Sequence, residues 1–176
     1  MRQVFEVLNR MKADGVISAY AIGGAVGATF YTEPAATYDV DVFVSLAQPP
    51  GKVLVSLAPI YEYLGLAKYA TEGQYIIIEG WPVQFLTPSD ALEQEAIEEA
   101  VETSADGAST RIMSAEHLAA IALRTGRSKD YLRILAFLEQ GALDSRMLQG
   151  ILQRHGLTKK WQEFSKKYLG AEDVQS

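Results

Sequence analysis

The run from Tyr38 to Leu46 constrains this chain more than any other segment. Val40, Val42 and Val44 alternate with Asp39, Asp41 and Phe43, a period of two that no helix can use. The segment predicts a half-buried strand whose valines go to the core. Asp39 and Asp41 then share the opposite face, one pleat repeat or ~7 Å apart. In a partly buried site two carboxylates at that distance repel unless a cation lies near them, and oxygen-only ligands suit Mg²⁺.

Fifteen residues before Asp39 stands Gly24, within Ala21-Ile22-Gly23-Gly24-Ala25. Ala19 to Ile22 reads as a short buried strand and Ala25 to Tyr31 as a small-residue helix broken by Glu33-Pro34. A Gly-Gly pair at a strand-to-helix turn leaves backbone N–H groups uncovered, which suits phosphate; taken alone it is also an ordinary tight turn. Glycines for phosphates and paired aspartates for a metal make one coherent nucleotide site. A dinucleotide-binding turn is the natural competitor. It is set aside because GGAVG lacks the G-x-G-x-x-G order and a hairpin follows where a further parallel βαβ unit should stand.

The remaining pattern is mixed and then helical. Met1 to Ala13 places Val4, Val7, Leu8 and Met11 at helical spacing before Gly15. Gln48-Pro49-Pro50-Gly51 reads as a loop leading to a helix from about Lys52 to Leu64. Gln74 to Ile78 and Trp81 to Leu86 form two strands about a tight turn at Glu79-Gly80. Ala91 to Val101 is a helix whose Glu95, Glu98, Glu99 and Glu102 form a solvated face, and SADGAS, residues 104 to 109, is a loop. Four helices follow: one opened by Ser114 to His117, then Arg127 to Leu138, Asp144 to Arg154 and Lys159 to Tyr168. His117 reads as ordinary helix surface and His155, before Gly156, as a helix C-terminus. Tyr61, Tyr63, Tyr69, Tyr75 and Trp81 read as core or sheet packing, and Ala171 to Ser176 as a frayed tail. The expectation is an α+β fold with a core over residues 1–110, a helical region over 111–170 packed on it, and the tail.

Composition narrows the chemistry. The 176 residues include no cysteine and two histidines, which excludes disulfides and cysteine-ligated metals and disfavours a histidine-rich zinc site. Apolar residues at 48% and charged residues at 22% fit a domain with a real core. The uncharged stretch from Val16 to Thr32 is interrupted by glycines and polar residues, so it reads as core rather than a membrane span. No secretory pattern opens the chain, and a cytoplasmic location is expected. Residues 1–110 carry 5 Lys and Arg against 15 Asp and Glu, a balance of −10; residues 111–176 carry 11 against 7, or +4. Such a basic half either attracts polyphosphate or nucleic acid or is plain solvation.

The set IGGAVGATFYTEP, TYDVDVFV, IIIEGWPVQFL and ALRTGRSKDYLRI, spanning roughly residues 20 to 140, resembles the nucleotidyltransferase superfamily, in the small bacterial branch that includes AbiEii-type toxins. The resemblance implies a minimal nucleotidyltransferase core: Gly23 and Gly24 near nucleotide phosphates, and Asp39 and Asp41 as catalytic ligands of Mg²⁺. It further implies an NTP substrate whose nucleotidyl group passes to a hydroxyl on an RNA, a protein or a small molecule. Lys129, with Arg124 and Arg127, is expected to grip phosphate or RNA; the alternative is a surface cluster with a local pair at Asp130.

Three departures qualify the resemblance. Active relatives carry a third carboxylate on a later strand, and here Gln84 stands at that place, bringing no charge and no base near neutral pH. Glu79 is the nearest spare acid but is poorly aimed. Relatives often have a basic residue shortly before the threonine ahead of D-x-D, where this chain has Ala35-Ala36-Thr37, and Arg133 stands where a further Asp is common. A catalytically silent member that binds nucleotide or a partner, in a toxin–antitoxin-like pair, is therefore the second expectation.

Overall fold

A computed structural model describes residues 1–33, 37–46 and 56–170. The fold is α+β, and the chain divides into two compact units, Met1–Ser114 and Ala115–Ser176. The first unit runs α1 (Arg2–Ala13), β1 (Ala19–Ile22), α2 (Gly24–Ala28), β2 (Val40–Ser45), α3 (Ala58–Leu66), β3 (Ala70–Glu72), β4 (Tyr75–Ile78), β5 (Trp81–Leu86), α4 (Ala91–Glu98), β6 (Val101–Ala105) and β7 (Ala108–Ile112). Among the described residues its strands form one sheet in the order β3-β4-β5-β2-β1-β7-β6.

The alternation in β2 fixes which way the sheet faces. Val40, Val42 and Val44 are buried in one cluster with Tyr20, Ile22, Ile76, Ile78, Val83 and Phe85, and with Val4, Phe5, Leu8 and Met11 of α1. Slipping β2 by one residue would expose the three valines, at a cost on the order of 5 kcal/mol, and bury the aspartates. Tyr20, the bulkiest buried side chain, donates its hydroxyl to Asn9 Oδ1 at 2.7 Å. Desolvation raises its pKa, so it stays a neutral donor.

β2 sits between two unlike neighbours. It runs antiparallel to β1, with Ile22 opposite Val42, and parallel to β5, with Val40, Asp41, Val42 and Phe43 opposite Val83, Gln84, Phe85 and Leu86. The expected hairpin is present: β4 and β5 pair antiparallel about Glu79 and Gly80, whose φ values of 50° and 83° are those of a two-residue hairpin turn. Tyr61, Tyr63, Tyr69 and Trp81 pack, partly buried, against the core, as expected.

Several elements differ from the sequence expectation. SADGAS is not a loop but the heart of a second hairpin, with Asp106 and Gly107 at φ 53° and 78° between β6 and β7. Its strands are polar because β6 lies at the sheet edge, so the apolar alternation that marks a strand is missing. Glu102 accordingly lies in β6, and α4 stops at Glu98. Arg111 belongs to β7, which joins the sheet where Ile112 pairs with Ile22 in β1. The short strand β3 was also not foreseen. Pro34 to Ala36, the Gln48 to Gly51 loop, the helix start at Lys52 and the tail lie outside the described residues.

The second unit contains α5 (Ala115–Thr125), α6 (Ser128–Glu139), α7 (Ser145–Arg154) and α8 (Thr158–Tyr168). α5 is the central helix, in contact with the other three. His117 is fully buried rather than on the surface, because α5 is alanine-rich and hidden on nearly every side. Asp144 caps α7 by accepting from the N–H groups of Arg146 and Met147 at 2.8 and 2.9 Å. Its own N–H donates at 2.8 Å to buried Glu116 of α5, tying the two helices together. His155 closes α7 as expected, followed by Gly156 at φ 67°. No helix among the described residues is long and apolar enough to cross a membrane.

Candidate functional site

β1 leaves the sheet at Gly23, whose N–H donates to the Asp41 carbonyl at 2.9 Å, so the Gly-Gly turn and the D-x-D strand are direct neighbours. Gly24 follows at φ 57°, a left-handed conformation that glycine alone adopts without strain. Its missing side chain matters as much. A Cβ at Gly24 would overlap the Asp41 carboxylate, lying 2.8 Å from its Cγ, and one at Gly23 would lie 2.8 Å from the Phe43 ring. The turn thus brings bare backbone against the Asp41 carboxylate.

Across the sheet on the other side of Asp41 stands Gln84, in register on parallel β5. Parallel partners in register share a face, so the amide occupies the place beside the carboxylates. Asp39, just before β2, is half-buried. The register of β4 on β5 puts Tyr75 one strand beyond Gln84, and the Tyr75 hydroxyl donates to Asp39 Oδ2 at 3.2 Å while accepting from Gln74 Nε2 at 3.0 Å. Sequence reasoning assigned Tyr75 to packing. Its even-numbered neighbours Ile76 and Ile78 take the core face, and that alternation was the available signal that Tyr75 points to the carboxylate side.

Asp39, Asp41, Gly23 and Gly24 are therefore brought together, with Gln84 and Tyr75 beside them. At ~7 Å and an effective dielectric of ~20, two ionised carboxylates repel by ~2 kcal/mol. One phenol donor relieves part of that and a cation would relieve more. Carboxylate, amide and phenol oxygens form an oxygen-only donor set, which fits Mg²⁺.

Lys129 is exposed on α6, in the second unit. Its neighbour Asp130, only 1% exposed, does not use it. Asp130 accepts from Arg127 Nε at 2.7 Å and Nη2 at 3.1 Å and from the Arg127 backbone N–H at 3.2 Å, with Arg133 Nη1 at 3.8 Å. Burial alone would raise the Asp130 pKa, but the Arg127 hydrogen bonds and the two guanidinium charges outweigh it and hold the carboxyl below its ordinary 3.8. The stabilisation is present at neutral pH and is lost as the pH falls through that depressed value. Asp130→Asn should cost about 2 kcal/mol in urea unfolding at pH 7, with the difference from wild type narrowing as the pH falls through the depressed value. A difference that does not narrow on acidification would show that charge is not the cause.

The crystal structure of an antigenic nucleotidyltransferase-like protein from Paracoccidioides brasiliensis is similar in fold. It is 16% identical in sequence, with a TM-score of 0.54 over 94% of this chain and 90% of that one. A likeness at that identity establishes a shared fold. No protein-family model and no curated protein matches the sequence.

Proposed function

We propose that this nucleotidyltransferase-like fold binds a nucleoside triphosphate with Mg²⁺ on the carboxylate face of its sheet, and that Gln84 holds nucleotidyl transfer to a low level. The observation that carries this reading is the Asp41 carboxylate lying against the bare backbone of Gly24, with Gln84 in register beside it. Asp39 and Asp41 would hold the ion. Gly23 and Gly24 are taken to lie near the nucleotide phosphates, as the family resemblance implies, with the Gly24 backbone held against the Asp41 carboxylate, and the Tyr75 hydroxyl orients Asp39. Bound Mg²⁺ would neutralise phosphate oxygens and stabilise charge on the entering and leaving oxygens of an in-line transfer. Gln84 cannot take the proton of an attacking hydroxyl, so deprotonation of the acceptor is left without a third carboxylate.

The acceptor class follows from the resemblance to the AbiEii-containing branch: an RNA 3′ hydroxyl first, a protein or small-molecule hydroxyl otherwise. Lys129 is proposed as a phosphate contact through its exposed charge. The binding-only reading is favoured by the same Gln84 and differs only in whether transfer is detectable.

Calorimetric titration of ATP, CTP, GTP and UTP tests the site. At least one should bind in a Mg²⁺-dependent manner. Asp39→Asn combined with Asp41→Asn should weaken it by a hundredfold or more. Tyr75→Phe should weaken it three- to tenfold. Failure of all four nucleotides to bind, or binding untouched by the double substitution, would refute the reading.

A further inference from the structure

The Tyr75 hydroxyl stands where a nucleophile would. It donates to Asp39 Oδ2 at 3.2 Å, within the reach at which a carboxylate takes the proton of an attacking hydroxyl. Gln74 Nε2 donates to the same phenol oxygen at 3.0 Å, so the hydroxyl is held between a donor and an acceptor. The strand keeps it there. Ile76 and Ile78 are 1% and 0% exposed on the core face, and Tyr75 cannot leave the carboxylate face without exposing them. On β3, Glu72 pairs with Tyr75 and shares its face, exposed at the sheet edge. Position in the sheet matters as much as distance. In the strand order β4-β5-β2-β1, Tyr75 lies to one side of Asp39 and Asp41, and the Gly23-Gly24 turn lies to the other.

We propose that Tyr75 is a site of self-nucleotidylation, a modification by which the chain closes its own site. The inference rests on the NTP and Mg²⁺ reading above. With the β- and γ-phosphates toward Gly23 and Gly24, in-line displacement at the α-phosphorus brings the entering oxygen from the opposite side, which is the side of β4. The Tyr75 oxygen forms the new bond to the α-phosphorus, and the bond from that phosphorus to the bridging oxygen of the leaving pyrophosphate breaks. The phenolic proton passes to Asp39 Oδ2 and on to water. The products are a tyrosyl nucleoside monophosphate ester and pyrophosphate, and no other reactant is consumed. Gln84 gives an external hydroxyl no base, and Tyr75 already occupies the Asp39 oxygen that could serve as one. A hydroxyl built into the site also competes at an effective concentration that no dissolved acceptor reaches. The ester then lies over the carboxylates, so each chain reacts once.

The test incubates the full chain with Mg²⁺ and whichever of ATP, CTP, GTP and UTP binds by calorimetry, and follows intact mass and peptide fragmentation. One nucleoside monophosphoryl group per chain should appear on Tyr75, with one pyrophosphate released, and the modified chain should no longer bind NTP. Tyr75→Phe, at nucleotide concentrations that saturate it, should gain no such group. A second readout needs no transfer. Nitration of Tyr75 by tetranitromethane should slow several-fold with Mg²⁺ and a nucleotide analogue whose α–β bridge cannot be cleaved, and should not slow with Mg²⁺ alone. Binding without an adduct, an adduct that Tyr75→Phe retains in full, undiminished NTP binding by the modified chain, or binding that leaves Tyr75 nitration unchanged would each overturn the self-modification while the nucleotide reading stands. Failure of every nucleotide to bind would sink that reading first, and the self-modification with it.

Discussion

Gln84→Asp is expected to raise nucleotidyl transfer by a hundredfold or more in an assay following label from α-labelled NTP into bulk RNA and protein. The position is in register with Asp41 on a parallel strand, so the new carboxylate would complete a three-acid row and supply a base within reach of an acceptor hydroxyl. A positioned base contributes about 10² to 10⁴ in rate. The same change carries a cost that can be measured separately. A third negative charge beside Asp41 and Asp39 destabilises the metal-free protein by roughly 0.5–1 kcal/mol, by analogy with like charges on adjacent strands. Thermal stability of Gln84→Asp should therefore drop without Mg²⁺ and recover with it more than wild type does. If the variant shows the Mg²⁺-dependent recovery and binds NTP yet transfers no faster than wild type, the missing charge is not what limits this protein.

Replacing Gly24 by alanine is expected to have the largest effect on folding and on binding together. A left-handed backbone costs an L-residue ~1–2 kcal/mol, and here the added methyl would also displace the Asp41 carboxylate or the turn itself. A total loss of about 3 kcal/mol in urea unfolding is expected, with Mg²⁺-dependent nucleotide binding lost as well. Gly15 is the control, since it has φ 74° and an added Cβ there would meet nothing within 4 Å. Gly15→Ala should cost only the conformational term, about 1 kcal/mol, and leave binding intact. Equal losses for the two variants would mean that Gly24 serves the turn and not the carboxylate.

The two variants probe different halves of one arrangement. Gly24 sets how close the backbone comes to Asp41, and Gln84 sets how much negative charge surrounds it. If the four bases bind alike, contacts to the triphosphate dominate recognition. If one is preferred, other side chains near the Gly-Gly turn read the base.

Much of this was legible in the sequence because the signals are local. The period of two in β2 assigned the valines to the core and the aspartates to the other face, and side-chain burial enforces that choice at several kcal/mol. Gly23-Gly24 marked the end of β1, Glu79-Gly80 the hairpin, and Asp144 and Gly156 the limits of α7. Local rules failed where polarity hid a strand. Asp106-Gly107 carries the same turn chemistry as Glu79-Gly80, but flanking Glu102, Ser104 and Ser109 carry no apolar stripe on an edge hairpin. They failed again at His117, because α5 is buried on nearly every side and nothing in its own spacing marks that.

What depended on tertiary structure is every relation across strands. That Gln84 lies beside Asp41 follows from the register of a parallel pair more than forty residues apart, and that Tyr75 reaches Asp39 follows from a hairpin added to that pair. That Gly24 lies against the Asp41 carboxylate follows from the antiparallel pairing of β1 with β2. A residue's own neighbours settle which face it takes, since alternation and burial are local. Which residues share that face is settled only when distant backbone N–H and C=O groups find each other.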